Sequence, residues 1–411
     1  MRGRAWLWAG AMALMPTMAP GLAQADEAAA VPASTIIVTA PGGAIDRDDG
    51  LSLSAADIGR AGPPDLLGAL TRTMAGITLQ DAQNNPWQPN LVYRGFVASP
   101  LQGQAQGLAV YMDGARFNQP FGDTVQFDLI PEAAIRSLSV LDTSPVYGLN
   151  ALGGAILLET KTGRSDPGLE ASATGGRFGY AEGSIAGGIA KGNVSAFGAF
   201  QYSRDGGWRD HSPSRLYNGY ADLGFDTDGG GLHLKLVGAD TNLTGNGVSP
   251  VELLAADRRA VFTWPDNSRS RYGRISLHPW VALSNSSRLE GTLYAQRLTS
   301  HTVNGDAADI EGCGAADAAG LVCLETGDGE DAQAILTDAT GTPIADTLAG
   351  TDGGYGVLNR GRTRTDAMGM LFQIIDDRAL MGGTHHFAAG LSYDTSRTRF
   401  DTATELGSLT A

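Results

Sequence analysis

Six histidines and two cysteines are the imidazole and thiol groups that this 411-residue chain offers for chemistry. The histidines are scattered except for His385-His386. That pair opens a strand-like run, and neighbours on a strand face opposite ways, so the two imidazoles could not share one metal ion. No G-x-S-x-G elbow, no H-E-x-x-H helix and no phosphate-cradling glycine loop occurs. No catalytic residue, metal site or cofactor is therefore expected. Cys313 and Cys323 are too few for a closed zinc site. An even pair in an exported chain points instead to one disulfide. One segment could act through its backbone. Thr35-Ile36-Ile37-Val38-Thr39-Ala40 is a β-prone patch between two flexible linkers, 26–34 and 41–49. Such a patch cannot fold alone. It suits pairing with the sheet edge of a partner by strand addition, and a stray apolar patch is the other reading of the same residues.

The elements around these residues start with an export signal. Arg2 and Arg4 precede an apolar core with Trp6, Leu7 and Trp8, and Pro16 and Pro20 end it ahead of Ala23-Gln24-Ala25. That is the form signal peptidase reads, and the run is too short to span a bilayer. Residues 1–25 are expected to be removed before Asp26. Losing two arginines and no acid takes the net charge from −15 to −17. This balance argues against nucleic acid as a partner. A mean hydropathy of −0.10 and 57 glycines suit β architecture with tight turns.

Residues 54–164 read as a small mixed α/β domain. Pro63-Pro64-Asp65-Leu66-Leu67 looks like a helix start, with Leu70 and Met74 following at helical spacing. Strand candidates follow at 91–94, 108–112, 138–141 and 155–160. Beyond about residue 168 the pattern becomes strict alternation. Val194, Ala196, Gly198, Phe200 and Tyr202 share one face, while Ser195, Gln201 and Ser203 take the other. Leu232, Leu234 and Leu236 oppose His233 and Lys235, and Leu289 and Leu293 oppose Arg288, Glu290 and Thr292. A soluble sandwich would alternate too. The links decide more. Short ones at 191–192, 226–230, 282–286 and 376–384 alternate with long ones at 205–215, 242–270 and 300–363. Membrane barrels sort their turns this way, short on the periplasmic side and long outside.

The middle region resembles the plug domain of TonB-dependent outer-membrane receptors. Ala75-Gly76-Ile77-Thr78-Leu79 is similar to the family's PGV turn, and Tyr93-Arg94-Gly95-Phe96 to its Arg-Gly-Phe motif. Val110-Tyr111-Met112-Asp113-Gly114-Ala115-Arg116 resembles the strand and turn vyvDGvr. Tyr147-Gly148-Leu149-Asn150-Ala151-Leu152-Gly153-Gly154-Ala155-Ile156 is similar to YGsnAlGGvI. The patch at 35–40 then resembles the TonB box. One departure stands out, because 136–145 lacks the family's Glu-x-x-Glu-Val-x-x-Gly-Pro.

The resemblance implies a membrane β-barrel of the 22-stranded type with an N-terminal α/β plug. Only about nine strands can be placed between 165 and 411, so the chain is expected to be a fragment or truncation. It also implies TonB and its inner-membrane energising complex as partners, with lipid around the barrel. The implied activity is active uptake of a scarce ligand, with an iron–siderophore complex as the family's usual cargo. Cobalamin or an oligosaccharide, and a passive porin-like or adhesion barrel, are the alternatives. Asp113-Gly114 should form a hairpin turn. Arg94, if inside the lumen, should be paired with a carboxylate. Gly153-Gly154 should let backbone pass close to the barrel wall. Trp87 and Gln88 in loop 84–90, with Gln102 and Gln104 in loop 99–106, are the ligand candidates.

Overall fold

The computed structural model describes residues 8–9, 52–60, 62–142, 148–325, 333–350, 353–380 and 383–409. Residues 35–40, Tyr147 and all of the expected leader but Trp8–Ala9 lie outside the described residues. Trp8–Ala9 (β1) pairs with Leu391 and Ser392.

The N-terminal domain opens with Ser52–Ser54 (β2) and the short helix Ala55–Ile58 (α1), capped reciprocally by Ser54 and Asp57. Leu66–Thr73 (α2) starts where expected. The prolines cannot continue a helix backwards, and the Asp65 carboxylate accepts the Gly68 N–H at 2.8 Å. Its Leu66, Leu67, Ala69 and Leu70 are buried. Ile77–Gln80 (β3), Asn90–Tyr93 (β4) and Phe96–Ala98 (β5) form one antiparallel sheet. Leu108–Met112 (β6), Ala115–Arg116 (β7), Ile135–Leu141 (β8) and Gly154–Thr160 (β9) join β2 in a second sheet, ordered β2-β8-β9-β6-β7. Within it β6 and β9 run parallel. The expected strands are all present. Both tight hairpins carry left-handed pairs, Arg94-Gly95 at φ 50° and 85° and Asp113-Gly114 at 53° and 77°.

The second region is one continuous antiparallel wall. Its strands are Gly168–Gly175 (β10), Ala181–Lys191 (β11), Val194–Asp205 (β12), Ser214–Thr227 (β13), Gly230–Thr244 (β14), Asp266–Ala282 (β15) and Ser287–Ala307 (β16). The longest link carries a three-stranded insert of Ile310–Gly312 (β17), Val322–Glu325 (β18) and Gln333–Ile335 (β19). Tyr355–Leu380 (β20) and Gly383–Ser408 (β21) complete the wall. Nine strands, β10–β16 with β20 and β21, pair in sequence, and among the described residues β10 and β21 do not close on each other.

Short links at 192–193, 228–229 and 283–286 lie at one end of the wall. Links 206–213 and 245–265 and the described parts of 308–354 lie at the other, together with the brief 176–180. The strands run further than the alternation suggested: β15 begins at Asp266, β16 reaches Ala307 and β20 begins at Tyr355.

The polarity of the two wall faces is inverted relative to a soluble protein. Leu223, Phe225, Leu232, Leu236, Ile275 and Met368 are exposed, whereas Asp222, His233, Lys235, Arg274 and Glu290 are buried. Burying an apolar side chain stabilises a water-soluble fold by about 1.5–3 kcal/mol, so a water-soluble sheet would face the other way. A wall with an apolar outside and a polar inside is built for lipid on its convex side.

Candidate functional site

The inner face of the wall packs on the N-terminal domain, and their contact is a polar network with one ion pair at its centre. The β6–β7 turn puts Asp113 at its tip, and glycine at 114 lets the chain reverse in two residues. Lys235 projects from the inward side of β14, between the outward Leu234 and Leu236. Its Nζ lies 3.0 Å from Asp113 Oδ1. Both side chains are below 10% exposed, so each would be an uncompensated buried charge without the other.

The remaining lone pairs are also filled. Thr160 donates its N–H to Asp113 Oδ1 at 3.0 Å and its hydroxyl to Oδ2 at 2.8 Å. Lys235 donates to Thr160 Oγ1 at 2.9 Å. The Tyr220 hydroxyl lies 2.7 Å from Thr160 Oγ1 and donates to the Lys161 carbonyl at 3.2 Å. From the next strands Arg274 donates to the Met112 carbonyl at 3.3 Å, and Thr292 to the Asp113 carbonyl at 3.3 Å. Burial alone would raise the Asp113 carboxyl. The Lys235 cation, with His278 and Arg274 behind it, holds it down to about 2.

A second contact lies nearer the long loops. Asp128 is buried and accepts from the Thr241 hydroxyl at 2.9 Å and from the Gln88 amide at 3.4 Å. The carbonyls of Asp128 and Ile130 accept from Asn218 of β13 at 3.0 and 2.9 Å. The carboxyl of Asp128 has neutral donors and no adjacent cation, so burial pushes it up to about 6.

The sequence-predicted residues divide between these contacts and the surface. Asp113 and Gly114 form the expected turn, but the sequence reading missed that Asp113 is also the pairing carboxylate. Arg94 does meet a carboxylate, Asp142 at 2.5 Å, yet the two side chains are 57% and 66% exposed. The wall buries Lys235 and Arg274 instead. Gly153 and Gly154 permit a close approach within the N-terminal domain rather than to the wall. A Cβ on Gly153 would meet the Phe96 ring at 2.4 Å, and one on Gly154 the Leu141 carbonyl at 2.3 Å, with φ at +135°. Gly148 is left-handed at φ 68°.

Among the ligand candidates, Gln88 is buried and engaged with Asp128, and Trp87 is half-buried. Its loop is fastened to the wall: Asn85 donates to Ser214 Oγ and the Thr244 carbonyl, and Asn84 to the Asn246 carbonyl. Gln102 and Gln104 are exposed on their own loop. Among the described residues no hydrogen bond joins Gln102 or Gln104 to Trp87 or Gln88. Links 206–213 and 245–265 interlock over this mouth. Arg209 donates to Ser249 Oγ and the Ala260 carbonyl, each at 2.7 Å, and His211 stacks on Trp264 with ring centres 4.1 Å apart. Trp208, Phe262 and Trp264 are exposed there. The insert in link 308–354 is joined by a disulfide between Cys313 and Cys323, with Cα atoms 5.0 Å apart.

The N-terminal domain held by this polar-lined wall has the sequence of a known domain family. Residues 51–155 match the family model described as the TonB-dependent receptor plug domain. The chain carries a TonB-dependent receptor plug domain. The plug is thus β2–β9 with its helices, and the wall has the fold of a partial barrel, unclosed among the described residues.

Solved receptors share this fold at low identity. The ferric citrate transporter FecA, unliganded, superposes with a TM-score of 0.58 at 13% identity, over 80% of this chain and 44% of its own. The ferric preacinetobactin receptor BauA of Acinetobacter baumannii gives 0.57 at 14%, over 86% and 47%. The ferripyoverdine receptor of the outer membrane of Pseudomonas aeruginosa gives 0.56 at 14%, over 82% and 41%. The chain spans less than half the length of each of these receptors.

Proposed function

We propose that this chain is the plug and leading wall of an outer-membrane receptor that imports an iron–siderophore complex, driven by TonB. On this reading it is a transporter rather than an enzyme. The observation that carries it is the plug seated against the polar inner face of a wall whose outer face is apolar. A passive pore has no use for a domain held in its lumen by buried ion pairs and hydrogen bonds. The ferric ligands named for three receptors of the same fold favour an iron chelate as cargo.

On the same reading the short turns face the periplasm and the long loops face outward. Residues 35–40 serve as the TonB box, reached from the periplasmic side and pulled after ligand binding, an order–disorder step in the N-terminal segment. Residues 26–53 form that flexible segment, 54–164 the plug and 165–411 the barrel portion. Exposed Gln102, Gln104 and the Trp208–Trp264 mouth would receive the ligand, with half-buried Trp87 at its floor.

Growth under iron limitation on single ferric chelates tests the proposal, comparing a deletion strain with its parent. The deletion should lose growth on one chelate, and uptake should stop when the proton-motive force is collapsed. Unchanged growth on every iron source, with loss of cobalamin or oligosaccharide use, would transfer the reading to a non-iron cargo. Uptake that survives the collapse would mean a passive pore.

A further inference from the structure

The docked plug closes over two wall cations and offers one carboxylate to them. Lys235 and Arg274 project from the inner face of neighbouring strands, β14 and β15. Lys235 stands opposite Ser276, so Arg274 and His278 occupy the next inward positions of β15 on either side of it. Arg274 is 4% exposed. It donates to the Met112 carbonyl of the plug at 3.3 Å, while its Nε and Nη1 are buried without a hydrogen-bond partner. Asp113 lies against Lys235, and among the described residues no carboxylate lies within ion-pair distance of Arg274.

The neighbouring acids are engaged elsewhere. Asp222 stands beside Lys235 in register, but both of its oxygens face His233 Nδ1, at 2.9 and 3.1 Å. Glu290 pairs with Arg288 and accepts from Gln373 at 3.0 Å. Asp394 accepts from the Tyr294 hydroxyl. Glu159 accepts from Ser137 at 2.9 Å.

A guanidinium taken out of water with most of its donors unused is among the least favourable groups a fold can bury. Ionisable side chains that face the interior of a membrane-spanning protein mark the paths of substrates and ions. Arginine presents its donors as a planar fork that matches paired oxygens, and the lysine beside it adds a point charge. Together they suit an anion with several oxygens at its surface, such as a ferric chelate built on carboxylates or phenolates.

We propose that Lys235 and Arg274 form a transit site on the wall for an anionic ferric chelate, and that Asp113 fills this site in the closed state in place of the ligand's own oxygens. The inference rests on the receptor reading given under Proposed function, and it narrows the cargo to a chelate of net negative charge. Asp113 fills the site incompletely, because it engages the lysine and leaves the arginine fork unmatched. When the β6–β7 turn withdraws, an oxygen of the chelate takes the place of Asp113. The wall cations are then compensated before and after the plug moves.

The test uses the complete receptor, purified in mild detergent, with ferric citrate as the anionic probe and a neutral ferric trihydroxamate as the control. Equilibrium dialysis with radioactive iron counts the sites. Asp113→Asn removes the internal anion and should add one ferric citrate site to those of the parent. Combining it with Arg274→Gln should weaken that site about ten-fold or more, and combining it with Arg274→Lys should leave an intermediate affinity. The trihydroxamate should gain no site, and inorganic phosphate at the probe's concentration should not displace the chelate. A second measurement leaves Asp113 in place. Ferric citrate should speed hydrogen exchange of 108–116 in the parent, by competing for the wall cations, and should leave it unchanged in Arg274→Gln. The site count decides when Asp113→Asn reaches the outer-membrane fraction, and the exchange decides when it does not. No added site, an added site indifferent to Arg274→Gln, equal binding of the trihydroxamate, displacement by phosphate, or exchange that ignores ferric citrate overturns the inference. The growth and proton-motive-force experiment reads the receptor function separately, so either reading can fail alone.

Discussion

Removing the Lys235 ammonium should loosen the plug more than any other single change in the wall. The Asp113 carboxyl sits at about 2, against an ordinary value of 3.8. That difference corresponds to about 2.5 kcal/mol favouring the carboxylate in the docked plug. Lys235→Met leaves that carboxylate buried with only Thr160 to satisfy it, and breaking such a pair from one side costs about 3–5 kcal/mol. Asp113→Asn leaves Lys235 in the same position and should cost a similar amount. The double variant removes both charges and should lie closer to the parent than either single one, so the cycle gives a coupling of at least ~2 kcal/mol. Hydrogen exchange of peptides covering 108–116 and 154–160 in the membrane-inserted receptor reads the opening free energy directly. The single variants should exchange about a hundred-fold faster or more. The pH dependence has a definite sign. A depressed folded value means that the stabilisation is complete above 3.8 and is lost as pH falls from there through 2. Additive single and double variants, or a plug whose exchange ignores Lys235→Met, would refute the assignment of this pair as the plug's anchor.

Asp128 titrates the other way: its folded value of about 6 exceeds the ordinary 3.8, so docking weakens as pH rises through that interval. Asp128→Asn should flatten this profile and slow exchange above pH 6, by up to about 3 kcal/mol, and a variant that docks more weakly at pH 8 would contradict it. Cys313→Ser with Cys323→Ser opens a short ring and should lower the stability of the insert by about 2–3 kcal/mol, seen as faster proteolysis of 308–354. Thiols that alkylate in non-reduced protein would show that no bond forms in the envelope. Ile37→Pro removes a strand donor and should abolish uptake while leaving ligand binding intact. Normal uptake would exclude 35–40 as the TonB box. Intact mass of the mature protein should begin at Asp26, and a retained Met1 in the outer membrane would exclude the leader.

The features legible in the sequence are those set by neighbours along the chain. The α2 start follows from Pro63, Pro64 and Asp65, and the hairpin from Asp113-Gly114, because caps and turns are local. The wall strands show through period-two alternation, since lipid and lumen select opposite residue types. The strand ends were not legible. The 300–363 stretch reads as a loop in sequence because the upper halves of β16 and β20 lose their outward apolar residues and carry Arg297, Arg360, Arg362 and Arg364. The chain is still paired there, but above the belt no hydrophobic signal reports it. Partners distant in sequence were equally hidden. Arg94 looked like the charge to be buried, and the structure buries Lys235. The available signal was a lone cation at an inward position between two leucines, which marks a group that must find a carboxylate.

A polar lining suits a plug that must move. Had the inner face been apolar, leaving it would expose that area to water at roughly 25 cal/mol per Å², with nothing to compensate. Here many of the contacts are hydrogen bonds, such as those of Asn218, Thr241, Asn85 and Thr292. Each is worth only about 0.5–1.5 kcal/mol net, because water replaces it when the surfaces part. Apolar contacts from Phe197, Tyr220, Val237, Tyr272 and Leu298 add cohesion to the same interface. On the proposed reading, a plug held this way would resist solvent at rest yet yield in small steps to a pull on its N-terminal segment. The Asp113–Lys235 pair is the exception, since neither ion can leave while the other stays buried. It therefore sets the largest single barrier along that path, and it lies beside Thr160 and Lys161, where the plug chain passes into the wall.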